Sequence, residues 1–381
     1  MPKFHSIDGA RRAAKRRLPR MMFDFIDGAA GSEIAKRLNQ EALDAIRLQP
    51  RVLVNVDERS LAKTIFGRKY DLPFGIAPMG MCNLAWPGTD QMLAEAAVKH
   101  NLPHTLSTMS SSSIEEVGRW AGENAWFQLY VSQSDELAME LIDRANDAGY
   151  PVLMLTVDVP QVAPRRRDLR NGFGMPFRIG PKQFIDFATH PRWSLTTLYK
   201  GAPQLANIIT SQAGQNFSRN ASRGRVDWAF LDKVRKRWPR TLVVKGVVSA
   251  EDAQRIVTTG ADGIYVSNHG GRQLDSAPPT IQVLPHIREA VGNDFPLIFD
   301  SGIRNGDAVL KALALGADFV MLGRPFLYGA GAAAATGIDN IIDLMRNEIS
   351  VAMAQIGCTD IEAIDRSVLL GNNFNSGMKN K

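Results

Sequence analysis

The 381 residues include 45 Lys and Arg against 39 Asp and Glu, a net charge of +6, with 45% hydrophobic side chains. That apolar share supports a large core and excludes bulk disorder. Two cysteines, Cys82 and Cys358, exclude a disulfide framework and favour a reducing compartment. No apolar run reaches the roughly 18 residues that a bilayer span needs. The basic stretch Arg11, Arg12, Lys15, Arg16, Arg17 has no apolar run behind it and does not read as a secretory signal. The remaining cations are scattered and lack a recognition motif, which favours anionic lipid or an anionic substrate over nucleic acid.

From about residue 8 to 47 the chain reads as helical, broken at Leu18-Pro19-Arg20, with Phe23, Phe25 and Ile26 near the turn Gly28-Ala29-Ala30-Gly31. Strand and helix then alternate. Short apolar strands fall at 73–78, 104–107, 126–130 and 152–156, separated by helical patterns at 89–101, 113–120 and 135–148. Ser113 with Glu116 three residues on is a capping box, and Asp135 reads as an N-cap. Strands at 242–245, 263–267, 297–300 and 319–322 complete a set of eight. Alternation means a parallel sheet, and eight repeats mean an α/β fold closed as a (β/α)8 TIM barrel. The expected organisation is a single domain over 1–381. It has an N-terminal helical extension over 1–70, a barrel over 71–325, and C-terminal helices and tail over 326–381. The Ala/Gly-rich run 329–337 reads as close helix packing.

One connection breaks the pattern. An insert over 161–226 follows the fourth strand, and connections that long in a compact domain are functional or mobile. Its first half carries Phe184, Ile185, Phe187, Trp193, Leu195, Leu198 and Tyr199 among Lys182, Arg192 and Lys200; its second half, 211–225, is polar and Gly/Ser/Asn-rich. It reads either as a lid on the barrel mouth or as an interfacial membrane segment with cations outside.

Barrel active sites lie at the carboxyl ends of the strands, and the sixth strand ends in Ser267-Asn268-His269-Gly270-Gly271-Arg272. The glycines permit a tight turn and close approach to a ligand. His269 can carry a proton near neutral pH, and Arg272 can clamp a carboxylate with two parallel hydrogen bonds. Base and clamp together point to chemistry on a small carboxylic acid. Singly, His269 reads equally well as part of a surface turn. Strands seven and eight end in Asp300-Ser301-Gly302-Ile303-Arg304 and Gly323-Arg324, each before a helix. Small residues at helix N-termini with two arginines form a phosphate site at the position barrels use for one. Lys245 ends the apolar run Leu242-Val243-Val244 and is expected to be buried. No Gly-rich dinucleotide fingerprint occurs, so the ligand is a mononucleotide. No metal site is expected.

The stretch from Val266 to Asp275 resembles the signature of the FMN-dependent L-2-hydroxy acid dehydrogenases and oxidases, and the likeness runs along nearly the whole chain. The resemblance implies FMN as cofactor. Ala77, Pro78, Met79 and Gly80 match the segment facing the flavin, and Ser107, Gln128, Thr156 and Ser267 its polar partners. Lys245 matches the residue that stabilises negative charge on the reduced ring. His269 matches the base, with Asp158 behind it to raise its pKa. Arg272 and Arg165 match the substrate clamp, helped by Tyr130; Arg166 and Arg167 read as solvated. Phe25 stands where the family carries a Tyr that helps hold the substrate carboxylate, and this departure puts the substrate in question. Gly80 stands where oxidases often carry Ala. The stretches 190–195 and 203–207 look like the membrane-associated mandelate and lactate dehydrogenases. The implied activity is oxidation of an L-2-hydroxy acid to the 2-oxo acid, by hydride transfer or through a carbanion. Electrons would pass to a membrane quinone or another acceptor, the alternative being a soluble oxidase that makes hydrogen peroxide. Peripheral attachment on the cytoplasmic side of the inner membrane, and a homo-oligomer that is a tetramer by analogy, complete the expectation.

Overall fold

Ser6 accepts the Gly9 N–H and opens α1 (Ile7–Arg17); Pro19 separates it from α2 (Arg20–Asp27), and α3 (Ile34–Ala45) follows. The computed structural model describes residues 4–131, 134–174, 179–211, 213–216, 224 and 226–371. Helix stops at Ala45, so the N-terminal extension is helical for only part of the expected length. β1 (Lys63–Ile65) and β2 (Arg68–Tyr70) instead pair as an antiparallel hairpin. Its two-residue turn, Phe66 and Gly67, has φ of 51° and 74°, the positive values such a turn requires. Phe66 lacks the usual turn chemistry, which hid the hairpin. Its ring is held by packing against Trp126 at 5.8 Å, on the barrel floor.

The chain then runs through β3 (Phe74–Met79), α4 (Thr89–Lys99), β4 (His104–Ser107), α5 (Ile114–Ala121), β5 (Ala125–Leu129), α6 (Asp135–Asp147) and β6 (Val152–Thr156). The insert holds α7 (Arg166–Asn171), α8 (Pro181–Ala188), α9 (Pro191–Lys200) and α10 (Ala206–Ile209), and α11 (Trp228–Arg237) returns to the barrel. There follow β7 (Thr241–Val247), α12 (Ala250–Val257), β8 (Gly263–Val266), α13 (Thr280–Val291), β9 (Leu297–Phe299), α14 (Gly306–Ala314), β10 (Phe319–Leu322) and α15 (Arg324–Gln355). β3 to β10 close as a parallel TIM barrel, β10 pairing with β3. Alternate residues fill its inside, among them Trp126, Met154, Val243, Tyr265, Phe319 and Met321; the others pack outward on the helices.

The capping box of Ser113 and Glu116 is present on α5. On α6 the cap is Ser134, whose Oγ accepts the Leu137 N–H at 3.2 Å; Asp135 sits inside the first turn, where its charge suits the helix dipole. α15 breaks at Ala333 and Ala334 and folds back on itself. A Cβ on Gly337 would lie 1.9 Å from the Gly329 carbonyl, so the small residues do pack helix on helix. In the insert, Trp193 is buried and donates Nε1–H to the Leu84 carbonyl at 3.1 Å, and Phe187 packs on it. Phe184, Ile185, Leu195, Leu198 and Tyr199 face outward, Tyr199 at 87% exposure. Most of the polar stretch 211–225 lies outside the described residues.

Candidate active site

The strands end around one cavity open to solvent. Its polar floor is a chain of hydrogen bonds. Ser107 Oγ–H donates to Gln128 Oε1 at 2.8 Å, and Gln128 Nε2–H donates to Thr156 Oγ1 at 2.9 Å. In register beside Thr156, buried Lys245 donates to Ser267 Oγ at 3.0 Å. Ser107 and Lys245 line the cavity, while Gln128, Thr156 and Ser267 stand one layer behind it. Ala77, Pro78, Met79 and Gly80 form one wall; a Cβ on Gly80 would lie 2.9 Å from that of Met109.

His269 has φ of 59°, a left-handed value fixed by the Gly270 and Gly271 turn behind it. That turn is crowded: a Cβ on Gly271 would lie 2.5 Å from the Lys36 amide of α3. His269 Nδ1 lies 3.1 Å from both carboxylate oxygens of Asp158, and Nε2 lies 2.9 Å from the Tyr130 hydroxyl. Burial pushes Asp158 upward, but the charges of His269 and Lys245 and the His269 hydrogen bond outweigh it, so the carboxyl sits below its ordinary range. An ionised Asp158 accepts only, which puts the proton on Nδ1 and leaves Nε2 as the base facing the cavity. The expected rise in the His269 pKa is corrected: burial outweighs the carboxylate, and the value is lowered.

Arg272 and Arg165 reach the same cavity. Arg272 Nη1–H donates to the carbonyls of Phe25 at 3.0 Å and Gly28 at 2.9 Å, and Arg165 Nε lies 3.4 Å from Asp168. The buried ring of Phe25 lies beside both, with the guanidinium carbons of Arg165 and Arg272 at 5.5 and 5.4 Å from its centre. Arg167, expected to be solvated, instead donates to Asp27 and Glu33.

At the far end lie Asp300, Ser301, Gly302, Ile303, Arg304, Gly323 and Arg324. Asn305 caps α14 there, accepting the Ala308 N–H at 2.8 Å. Arg304 has the Ile303 carbonyl at 2.6 Å and the ring of Tyr328 beside it, and burial lowers its pKa, so its charge calls for an anion. Arg324 donates to the carbonyls of Gly270, Gly28 and Ile26. Sequence reasoning missed Met81, Met109, Val162 and Leu205, which form an apolar side of the cavity. Met109, two residues past Ser107 in the same loop, was within reach of that argument; Leu205 arrives from the insert and was not.

The sequence profile of the FMN-dependent dehydrogenase family matches residues 14–370. The chain belongs to that family. The (S)-mandelate dehydrogenase of Pseudomonas putida is 40% identical over 369 residues, 96% of this chain and 93% of that one. The L-lactate dehydrogenase of Pseudomonas syringae pv. syringae (strain B728a) is 38% identical over 368 residues, 94% of this chain and 97% of that one. A crystal structure of the monotopic membrane protein (S)-mandelate dehydrogenase superposes with a TM-score of 0.93 at 39% identity, covering 97% of this chain and 100% of that one. FMN is therefore the cofactor of this FMN-dependent dehydrogenase, and the cavity fits it. A cationic, glycine-bearing end suits a phosphate, and a polar floor with a buried Lys suits a ring that gains negative charge.

Proposed function

We propose that this protein oxidises an L-2-hydroxy acid to the corresponding 2-oxo acid. The observation that supports this most is one cavity lined by His269, whose Nε2 meets only the Tyr130 hydroxyl while Nδ1 is held by Asp158, and by the guanidiniums of Arg165 and Arg272. FMN, when bound, supplies the two-electron acceptor. Arg304, Arg324, Gly302, Ile303 and Gly323, with Asp300 and Ser301, would hold its phosphate end. Ala77 to Gly80 and Ser107 would hold its ring, backed by Gln128 and Thr156, with Lys245, bonded to Ser267, at the side that becomes negative. Arg272 and Arg165 bind the substrate carboxylate. Tyr130 turns its hydroxyl from Nε2 to the substrate as the substrate enters. His269 takes the proton at Nε2, and ionised Asp158 stabilises the imidazolium that forms. Residues 1–381 act as one domain around this centre.

The test is a panel of L-lactate, glycolate, L-mandelate and longer 2-hydroxy acids mixed anaerobically with the flavoprotein. Bleaching of the flavin by at least one, and its loss in His269→Gln with FMN retained, is the expected result. A flavin that none of them bleaches overturns the reading.

We also infer that the protein docks on a membrane surface and delivers its electrons to a quinone there. Among the described residues no helix is long and apolar enough to cross a bilayer. The outward-facing Phe184, Ile185, Leu195, Leu198 and Tyr199 suit an interfacial seat, each worth roughly 1.5–3 kcal/mol when buried. The net positive charge suits an anionic leaflet on the cytoplasmic side of the inner membrane. Co-flotation with anionic vesicles, and faster reoxidation by a quinone than by air in stopped flow, are expected. Rapid reoxidation by air would favour the oxidase reading.

A further inference from the structure

The stretch that carries Arg165 does not hang free. Residues 164–173 are fastened along their length to residues 24–33 of the N-terminal extension. The Gly31 N–H donates to the Pro164 carbonyl at 3.1 Å, Arg166 Nη1–H to Ser32 Oγ at 2.9 Å, and Asn171 Nδ2–H to Asp24 Oδ2 at 2.7 Å. Phe173 stacks on Phe25 with ring centres 4.5 Å apart. At the middle, Arg167 spans two carboxylates, Nη1–H to Asp27 Oδ2 at 2.7 Å and Nη2–H to Glu33 Oε2 at 2.6 Å. Asp27 is fully buried and also accepts from Arg11 at 2.6 Å, Lys36 at 3.2 Å and the Tyr328 hydroxyl at 2.7 Å.

We propose that Arg167 is a positioning residue: it latches the Arg165 segment onto Asp27 and Glu33, so that a substrate carboxylate meets a clamp already in place. The inference rests on the hydroxy-acid reading above. Three features carry it. Arg167 lies two residues from Arg165, so fixing one guanidinium fixes the backbone that aims the other. Its planar fork reaches both carboxylates at once, which a lysine cannot do. Phe25 offers the carboxylate a ring and no hydroxyl, so recognition falls on the two guanidiniums beside it, and their placement matters more. Without the latch Arg165 spends part of its time away from the cavity, and apparent affinity falls in proportion to the fraction still in place.

The choice of variant follows from the charges. Removing Asp27 would take a carboxylate from Arg11, Lys36 and Arg167 at once. Removing Arg167 leaves Asp27 with Arg11, Lys36 and Tyr328, so no unpaired buried charge results. Arg167→Met, as the FMN-loaded protein, is compared with Arg167→Lys and the parent. In anaerobic stopped flow the substrate concentration for half-maximal flavin bleaching should rise about tenfold in Arg167→Met, as if a tenth of molecules held the clamp in place. The limiting bleaching rate should stay near the parent's, and Arg167→Lys should fall between. Amide hydrogen exchange should speed up over 164–171 and stay unchanged in the barrel strands. Unchanged half-saturation and unchanged exchange, or equal loss of rate and affinity with release of flavin, would overturn the latch. If no 2-hydroxy acid bleaches the parent, the activity reading fails, and hydrogen exchange alone decides whether Arg167 holds the segment.

Discussion

His269 feels opposed influences: burial, and after it the charges of Lys245 and Arg272, lower its pKa, Asp158 raises it by charge and hydrogen bond, and the lowering wins. The imidazole is therefore neutral at pH 7, the state a base needs. Activity should rise with pH through a limb below the ordinary 6.5 of histidine and then level off. Asp158→Asn removes the raising influence, so that limb should move further to acid. An amide can also donate to Nδ1, which favours the wrong tautomer, so kcat/KM should fall by about two to four orders of magnitude. A pH profile of kcat/KM checks both, and a limb that moves toward alkali would contradict the pairing. Phe25 is the other residue to change. Its ring stacks on Phe173, so Phe25→Tyr should leave stability nearly unchanged. The added hydroxyl, bonded to a charged carboxylate, should lower KM for small hydroxy acids about tenfold; an unaltered substrate panel would show that position 25 does not shape recognition.

At the scale of elements, the two register breaks of the barrel fall where the site needs them. β7 slips against β8 between Lys245 and Val247, and Gly246 takes φ of 105° there. A Cβ on Gly246 would lie 2.5 Å from that of Asp158, so the bulge and the missing side chain together admit the carboxylate behind His269. Gly246→Ala should cost about 1–3 kcal/mol of stability through strain alone. It should also depress activity in a way that Lys245→Met does not, because it displaces Asp158; urea unfolding and the His269 pH limb measure the two effects separately. The sequence showed Lys245-Gly246 but nothing of this contact, which joins residues 88 positions apart. The eight strands and the rim residues were legible because period, caps and strand ends are local signals. The hairpin at 63–70 was not, because a Phe at its turn is tolerated only through packing on Trp126. The Arg167 ion cluster was not, because a charge run in sequence looks the same whether solvated or paired.

Across the whole molecule two buried ionisable groups pull stability in opposite directions with pH. His104 is buried with both ring nitrogens unpartnered among the described residues, and burial pushes its pKa down to about 4. Between its ordinary 6.5 and 4 the unfolded chain binds a proton that the fold refuses, so acidification destabilises, by about 3 kcal/mol in all. Asp90, at the start of α4, accepts from Ser110 Oγ and the Ser111 N–H, with no cation paired to it among the described residues; burial raises its pKa to about 6. From 3.8 to 6 the fold holds a proton that the unfolded chain releases, so raising the pH destabilises, again by about 3 kcal/mol. The windows overlap, and within pH 4 to 6 the two contributions nearly cancel. Each single variant should expose the other group. The stability of His104→Met relative to the parent, from urea unfolding at fixed FMN, should improve by about 3 kcal/mol as the pH falls from 7 to 4. Asp90→Asn should move the opposite way, losing ground to the parent as the pH falls. Parallel curves for parent and His104→Met would mean that the buried imidazole finds a way to carry its proton in the folded state.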